Sequence, residues 1–122
     1  YNYRMPNLNA ALGLAQIEQL NDFLIKKKEI AMQYKNWSKE NNLNIAKPIP
    51  NAEPNYWINV LIADDLEERN KILEVTHDNN IFTRPTWKLL HKLPMYRNCQ
   101  TFNLNNTNWL EDRIVCLPSS AE

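Results

Sequence analysis

Few side chains in this sequence have the type and spacing that catalysis usually needs. The two histidines, His77 and His91, have no neighbour at the spacing of a metal site or a catalytic dyad. Cys99 and Cys116 form no CxxC pair, and no serine lies in a G-x-S-x-G motif. The residues alone therefore predict no metal site and no catalytic nucleophile. They leave two polar and aromatic stretches, residues 2–4 and 83–96, as candidate binding regions.

The composition excludes several classes of function. The chain has 122 residues, and 14 Lys and Arg balance 14 Asp and Glu, so we expect no nucleic-acid partner. A chain with one glycine, Gly13, cannot form a glycine-rich phosphate loop. Apolar runs are too short to span a membrane, and residues 1–13 do not read as a signal peptide. With two cysteines that form no evident pair, we expect a cytoplasmic protein.

The first forty residues are predicted to form one long helix. Apolar residues recur at helical steps from Leu8 to Trp37, and Pro6 is compatible with a first turn. Asn21 and Asp22 can kink or recap this helix because their side chains compete for backbone donors. The three lysines at 26–28 are expected on its solvated face.

The remaining residues, 41–122, predict a small α/β region. A proline-containing loop with room for a short edge strand at 43–46 precedes a strand at 56–62. Acidic residues, Asp65 among them, then begin a second helix, where we interpret them as helix caps rather than as catalytic carboxylates. Further strands are predicted at 81–83 and 114–117.

The segment between those two strands has little periodicity, but its aromatic residues argue against disorder. Asn108, with Glu111 three positions later, indicates a capping box for a short helix. The predicted fold class is therefore α/β, an α+β layer with a long first helix and a sheet of three or four strands that has helices on one face.

Several segments of this chain resemble one enzyme family in the same order. The opening YNYRMPNLNAALGLAQ is similar to the N-Y-R-M-x-x-x-x-A-A-x-G-x-x-Q segment of the DegT/DnrJ/EryC1/StrS aminotransferases. The resemblance continues through Tyr56-Trp57, IFTRPTW at 81–87, LHKLPMY at 90–96 and CLPSS at 116–120. The resemblance extends over essentially the whole chain. The residues of the later motifs resemble those of the branch of the family that makes UDP-4-amino-4,6-dideoxy-N-acetylglucosamine.

This resemblance implies a C-terminal part of an aminotransferase of fold type I that depends on pyridoxal 5'-phosphate (PLP). Residues 1–40 would form the long helix, with a cofactor- and dimer-contacting start, and residues 41–122 a small α/β domain. The parent enzyme would transfer an amino group from glutamate to a 4-keto-6-deoxy sugar nucleotide for bacterial surface polysaccharides. Its partners would be a UDP-sugar, glutamate and a second identical subunit held through the first helix region.

The resemblance also implies roles for five residues. Asn2 matches the asparagine that reaches the PLP phosphate of the other subunit, and Arg4 matches the arginine beside it. Arg84, His91 and Tyr96 match positions on the substrate side and are expected to bind the sugar nucleotide. From the residues alone, the favoured interpretation is that Arg84 is a surface ion-pair residue and Tyr96 a core residue.

One departure from the family decides what this chain is expected to do alone. The family's PLP domain, with its cofactor-binding lysine, precedes the N-Y-R-M segment, and no lysine here lies in the family's lysine motif. We therefore assign no catalytic residue and expect the 122-residue chain to be inactive by itself. Two alternatives stay open: a non-catalytic module for sugar-nucleotide binding or dimerisation, and a truncated product with no independent role.

Overall fold

The computed structural model describes residues 2–121 and confirms a mixed α/β fold with a small three-stranded antiparallel sheet. In chain order its elements are α1 (Asn7–Glu18), α2 (Leu20–Glu40), β1 (Asn59–Ile62), α3 (Leu66–Asp78), β2 (Arg84–Pro85), α4 (Asn105–Glu111) and β3 (Ile114–Leu117). Two 3₁₀ turns, Leu90–Lys92 and Pro94–Tyr96, lie between β2 and α4. Helix α2 ends at Glu40. The division of the chain into residues 1–40 and 41–122 stays a prediction based on the sequence.

The last strand of the chain forms the centre of the sheet. The strand order is β1-β3-β2, and both pairings are antiparallel. Leu61 of β1 and Pro85 of β2 lie opposite Val115 of β3, so these residues share one face of the sheet. Val115 is 0% exposed, which places the middle of the core at this position. The predicted edge strand at 43–46 contributes a single bridge, between Ile45 and Leu61.

Two strands begin later than the sequence pattern predicted. Tyr56 has a φ of 51°, and the Trp57 N–H donates to the Asn55 side-chain oxygen, so β1 begins only at Asn59. The strand predicted at 81–83 is also wrong, because Ile81 and Thr83 form hydrogen bonds with the last turn of α3 and pair with no strand in the described part of the chain. The Ile81 N–H donates to the Thr76 carbonyl at 2.8 Å, and the strand pairing starts at Arg84. Local turn chemistry therefore overrides the β-propensity of both segments.

The first helix is divided in two, and the division lies before the predicted kink. Gln19 has φ −101° and ψ 0°, and its side chain donates to the Ala15 carbonyl at 3.0 Å. Asn21 and Asp22 therefore lie in the first turn of α2, where a carboxylate is favoured by the helix dipole. None of the residues of α1 is buried.

Two side chains of α2 attach this helix to the segment that follows β3. The Tyr34 hydroxyl donates to the Pro118 carbonyl at 2.8 Å, and the Lys27 ammonium donates to the Ser119 carbonyl. Lys27 is therefore half-buried and bonded, and the prediction that all three lysines at 26–28 are solvated is wrong for it. Ala31 and Ser38 are buried along the same helix. The two hydrogen bonds hold α2 against the segment that follows β3.

The acidic start of α3 confirms the capping interpretation. Asp65 is the N-cap, and its side chain accepts from the Glu68 N–H at 2.8 Å. The Glu68 carboxylate in turn accepts from the Asp64 N–H at 2.5 Å. At the other end, His77 Nε2–H donates to the Thr83 carbonyl at 2.7 Å, so this histidine joins α3 to the chain entering β2. These bonds satisfy backbone groups that helix ends otherwise leave unpaired.

The predicted capping box at Asn108 is wrong. Helix α4 begins at Asn105 with Leu104 as its N-cap, and Asn108 lies inside the helix. The Asn103 side chain accepts from the Asn105 N–H at 2.8 Å and so provides the local cap just upstream. Across residues 2–121, no helix is both long enough and apolar enough to cross a membrane.

We predict that Tyr34→Phe destabilises the fold by about 1 kcal/mol, because the part-buried Pro118 carbonyl loses its hydrogen-bond donor. Urea denaturation followed by circular dichroism measures this change in the free energy of unfolding. Asn36→Ala, at an exposed position of α2, is the matched control and should leave the free energy within about 0.5 kcal/mol.

The pH dependence of stability in the wild type and in Tyr34→Phe provides a second test of the Tyr34 contact. Burial raises the pKa of Tyr34 above its ordinary value of 10.0. Because the folded protein then retains a proton that the unfolded chain releases, wild-type stability should fall as pH rises above 10. The part of this fall that comes from Tyr34 should be missing in Tyr34→Phe. Parallel stability curves for the two proteins would contradict this prediction.

We predict that Asp65→Ala lowers the free energy of unfolding by about 1 kcal/mol through loss of the N-cap of α3. Thermal and urea unfolding measure the change. Asp64→Ala removes a neighbouring carboxylate that does not cap the helix, and it serves as the control. Equal effects of the two substitutions would show that general charge, and not the cap, stabilises this helix end.

Candidate functional site

The first candidate site is the extended segment that leads into α1. Asn2 and Arg4 are both exposed, and the Asn2 side-chain oxygen accepts from the Arg4 N–H at 3.1 Å and from Arg4 Nε at 3.4 Å. Pro6, with φ −60° and ψ 148°, follows in extended conformation as the N-cap of α1. The carboxamide of Asn2 is therefore oriented by its own neighbour.

This orientation determines what the segment offers to a ligand. Because the Asn2 oxygen is already used by Arg4, the two amide hydrogens of Asn2 face away from that bond. The rest of the Arg4 guanidinium, beyond Nε, adds a permanent positive charge and further donors. Several such donors next to one cation suit a phosphate or carboxylate. The segment thus has the chemistry of a small anion cradle.

Arg84 lies on strand β2, directly opposite Cys116 of β3. Burial raises the pKa of the Cys116 thiol, and the nearby positive charge of Arg84 partly opposes that rise. The Arg84 side chain is exposed, and no carboxylate forms an ion pair with it within residues 2–121. The surface ion-pair interpretation of Arg84 therefore finds no partner in this part of the chain, and its charge is available to a ligand.

His91 and Tyr96 lie on the two 3₁₀ turns that follow β2. His91 is half-buried, whereas Tyr96 is 45% exposed, so the alternative that Tyr96 is a core residue is wrong. An ion pair between Lys92 and Glu111 attaches the first turn to α4. The Tyr96 N–H donates to the Leu93 carbonyl at 3.0 Å, which holds the second turn. Both side chains therefore project from anchored backbone.

The structure groups the five predicted residues into two places. Arg84, His91 and Tyr96 belong to one continuous segment that begins at β2, and Asn2 with Arg4 lies ahead of α1. Within residues 2–121, no hydrogen bond, ion pair or ring contact connects the two places. Their proposed roles in cofactor and substrate binding stay predictions.

One feature near these residues was not predicted from the sequence. The rings of Trp57 and Trp87 lie 6.2 Å apart between centroids, tilted by 33°. The Ser119 hydroxyl donates to the Trp57 carbonyl at 3.0 Å, so the segment after β3 also positions this tryptophan. Both tryptophans lie in motifs that carry the family resemblance, but only the fold brings their rings together. The contact leaves both rings largely exposed.

We predict that Arg84→Met raises the pKa of the Cys116 thiol further, because it removes the charge that opposes the effect of burial. The pH dependence of Cys116 alkylation, followed by peptide mass spectrometry, should shift to higher pH. Arg97→Met, in the exposed loop, is the control and should leave the profile unchanged. An unchanged profile in Arg84→Met would place the guanidinium too far from the thiol to affect it.

Comparison with known proteins gives this geometry a family context. The chain matches the DegT/DnrJ/EryC1/StrS aminotransferase family over residues 1–122. It is 39% identical over 100 residues to GDP-perosamine synthase of Escherichia coli O157:H7, covering 79% of this chain and 26% of that protein. It is 32% identical to GDP-perosamine synthase of Vibrio cholerae, covering 98% of this chain and 33% of that protein. The chain therefore spans about a quarter to a third of the length of these relatives.

Solved structures show the same fold at lower sequence identity. The aminotransferase TlmJ from Streptoalloteichus hindustanus superposes with a TM-score of 0.79 at 22% identity, over 91% of this chain and 30% of that chain. The PLP form of Spr1654 from Streptococcus pneumoniae, provisionally assigned as a sugar aminotransferase, gives 0.78 at 21% identity, over 97% and 31%. Together with the match over all 122 residues, this likeness confirms the resemblance seen in the sequence motifs. The chain belongs to the DegT/DnrJ/EryC1/StrS aminotransferase family.

Proposed function

We propose that this chain is the C-terminal part of a PLP-dependent sugar-nucleotide aminotransferase. The enzyme would transfer an amino group from glutamate to a 4-keto-6-deoxy sugar nucleotide. The observation that carries this proposal is the family match along the whole chain, combined with relatives that are about three times as long. No catalytic residue is assigned within residues 1–122, so activity would require the remaining part of such an enzyme.

The anion cradle of Asn2 and Arg4 fits the phosphate of PLP. When bound, PLP supplies the electron sink and carries the amino group between the two substrates. The amide hydrogens of Asn2 would donate to phosphate oxygens, and Arg4 would hold the Asn2 carboxamide in the required orientation through its two bonds to the oxygen. This chain would thus complete a cofactor site that other residues mainly build.

Arg84, His91 and Tyr96 would bind the sugar nucleotide. An exposed guanidinium that has no ion-pair partner among residues 2–121 suits a diphosphate, because charge-assisted hydrogen bonds to phosphate are strong. The imidazole of His91 and the hydroxyl of Tyr96 would bond to polar groups of the substrate from the two anchored turns. The UDP form stays a prediction, since related proteins carry the names GDP-perosamine synthase and dTDP-4-amino-4,6-dideoxy-D-glucose transaminase.

The exposed apolar surface of α1 supports association with a second subunit. Leu8 is 80% exposed, and none of the residues of α1 is buried. A Cβ added at Gly13 would meet nothing within 4 Å, so no packing inside this chain requires the glycine there. We propose that α1 is the homodimer contact, which would bring Asn2 and Arg4 to the neighbour's cofactor. The alternative of a non-catalytic dimerisation module would use the same surface.

A chimera tests this function directly. Residues 1–122 replace the matching segment of the Vibrio cholerae GDP-perosamine synthase, and glutamate-dependent amination of UDP-, GDP- and dTDP-keto sugars is measured together with PLP affinity. We predict that the chimera is active. Asn2→Ala should weaken PLP binding about tenfold, the effect expected for one hydrogen bond to a charged group.

The control is Asn36→Ala, an exposed asparagine of α2 outside the proposed dimer contact, which should leave PLP affinity unchanged. A folded, dimeric chimera that binds PLP equally well with and without Asn2 would contradict the assignment of the cradle. A folded chimera that binds sugar nucleotides but shows no amination would favour the non-catalytic alternative.

A further inference from the structure

A groove separates the second half of α2 from the chain that runs from Leu43 to Val60. Its volume is about 690 Å³, within the range of small-molecule sites. None of the five residues considered above lines it. A shallower depression of about 620 Å³ lies on the outer face of α3, but it is bordered only by side chains of that one helix.

The charged residues that line the groove all carry the same sign. Lys35 and Lys39 of α2 and Lys47 of the opposite wall line it, and no carboxylate does. Within residues 2–121 the one ion pair joins Lys92 to Glu111. None of the three ammonium groups of the groove is therefore paired with an acidic side chain in this part of the chain. Positive charges that converge on one concave surface raise the local concentration of anions.

The floor of the groove contains a buried polar group without a partner. Asn59 is only 6% exposed and lines the groove, and its side-chain nitrogen forms no hydrogen bond with any residue of 2–121. An unsatisfied buried amide is costly and rare in folded proteins. An oxygen acceptor entering the groove would supply the missing bond.

Most of the remaining lining residues are apolar. Met32, Ile45 and Pro48 lie among the lining residues, and Tyr56 and Trp57 stand with them at the sheet end. Tyr56 adopts a positive φ of 51° immediately before Trp57. Aromatic side chains offer planar faces to planar ligands at little cost in conformational entropy. The groove therefore combines a cationic rim, a polar floor group and aromatic walls.

We propose that this groove binds a small organic phosphate with a planar apolar body. The phosphate would lie among Lys35, Lys39 and Lys47, with one acceptor oxygen on the side-chain nitrogen of Asn59. The planar body would rest against Tyr56 and Trp57. The proposal is independent of the proposed transamination, because it uses none of the residues assigned to the cofactor or the sugar nucleotide.

Titration of the 122-residue chain with phenyl phosphate, followed by NMR, tests the proposal. We expect saturable shifts of the Asn59 side-chain amide and the Trp57 indole. Phenol, which lacks the charge, and inorganic phosphate, which lacks the ring, should each bind at least tenfold more weakly. Lys35→Met and Lys39→Met should each weaken phenyl phosphate binding roughly fivefold, as expected for loss of one solvent-accessible charge contact.

Lys28→Met, on the exposed surface of the same helix and outside the groove, is the matched control and should bind as the wild type does. These lysine positions are exposed, so the substitutions leave the core intact, and the dispersion of the amide spectrum verifies folding. Non-saturable shifts, equal affinity for phenol, or an affinity unchanged by both Lys35→Met and Lys39→Met would overturn the proposal. None of these results bears on the chimera assay. Failure of the groove proposal can therefore be distinguished from failure of the proposed aminotransferase function.

Discussion

Antiparallel pairing of β3 with both other strands is the interaction on which this fold depends. Val115, in the middle of β3, is fully buried, and Leu61 and Pro85 lie opposite it on the two neighbouring strands. The carbonyls just beyond the strand, at Pro118 and Ser119, accept the bonds from α2. Because β1 is far from β3 in the sequence, this pairing joins segments that are distant along the chain.

The same pairing positions the candidate binding residues. Arg84 enters the sheet through its register with Cys116, and the two 3₁₀ turns follow directly from that strand. The Lys92–Glu111 ion pair then holds the first turn to α4, and Ser119 holds the backbone of Trp57. Exposed polar side chains thus stand on backbone that is fixed by hydrogen bonds, which favours precise binding.

Hydrophobic burial is distributed unevenly along the chain. The buried apolar core of the described residues consists of Ala31, Leu61, Ala63 and Val115. Large apolar side chains of α1 and of the start of α2 remain on the surface. An exposed apolar surface of this extent is typical of a region that contacts another protein surface. The small core and the exposed helix therefore agree with a chain that functions within a larger assembly of its family.

Features that depend on local contacts could be predicted from the amino-acid sequence. The helical spacing of α2, the Asp65 cap of α3 and the apolar run of β3 each follow from residues close in the chain, as does the likeness to the family. The starts of β1 and β2 depend on turn bonds between nearby residues that the β-propensity of these segments does not reveal. The tertiary structure determines which lysine of 26–28 is bonded, and it brings Trp57 against Trp87. It also created the groove around Asn59, whose walls come from segments separated along the chain. Such features arise from contacts between distant residues, and neither periodicity nor propensity encodes which distant residues meet.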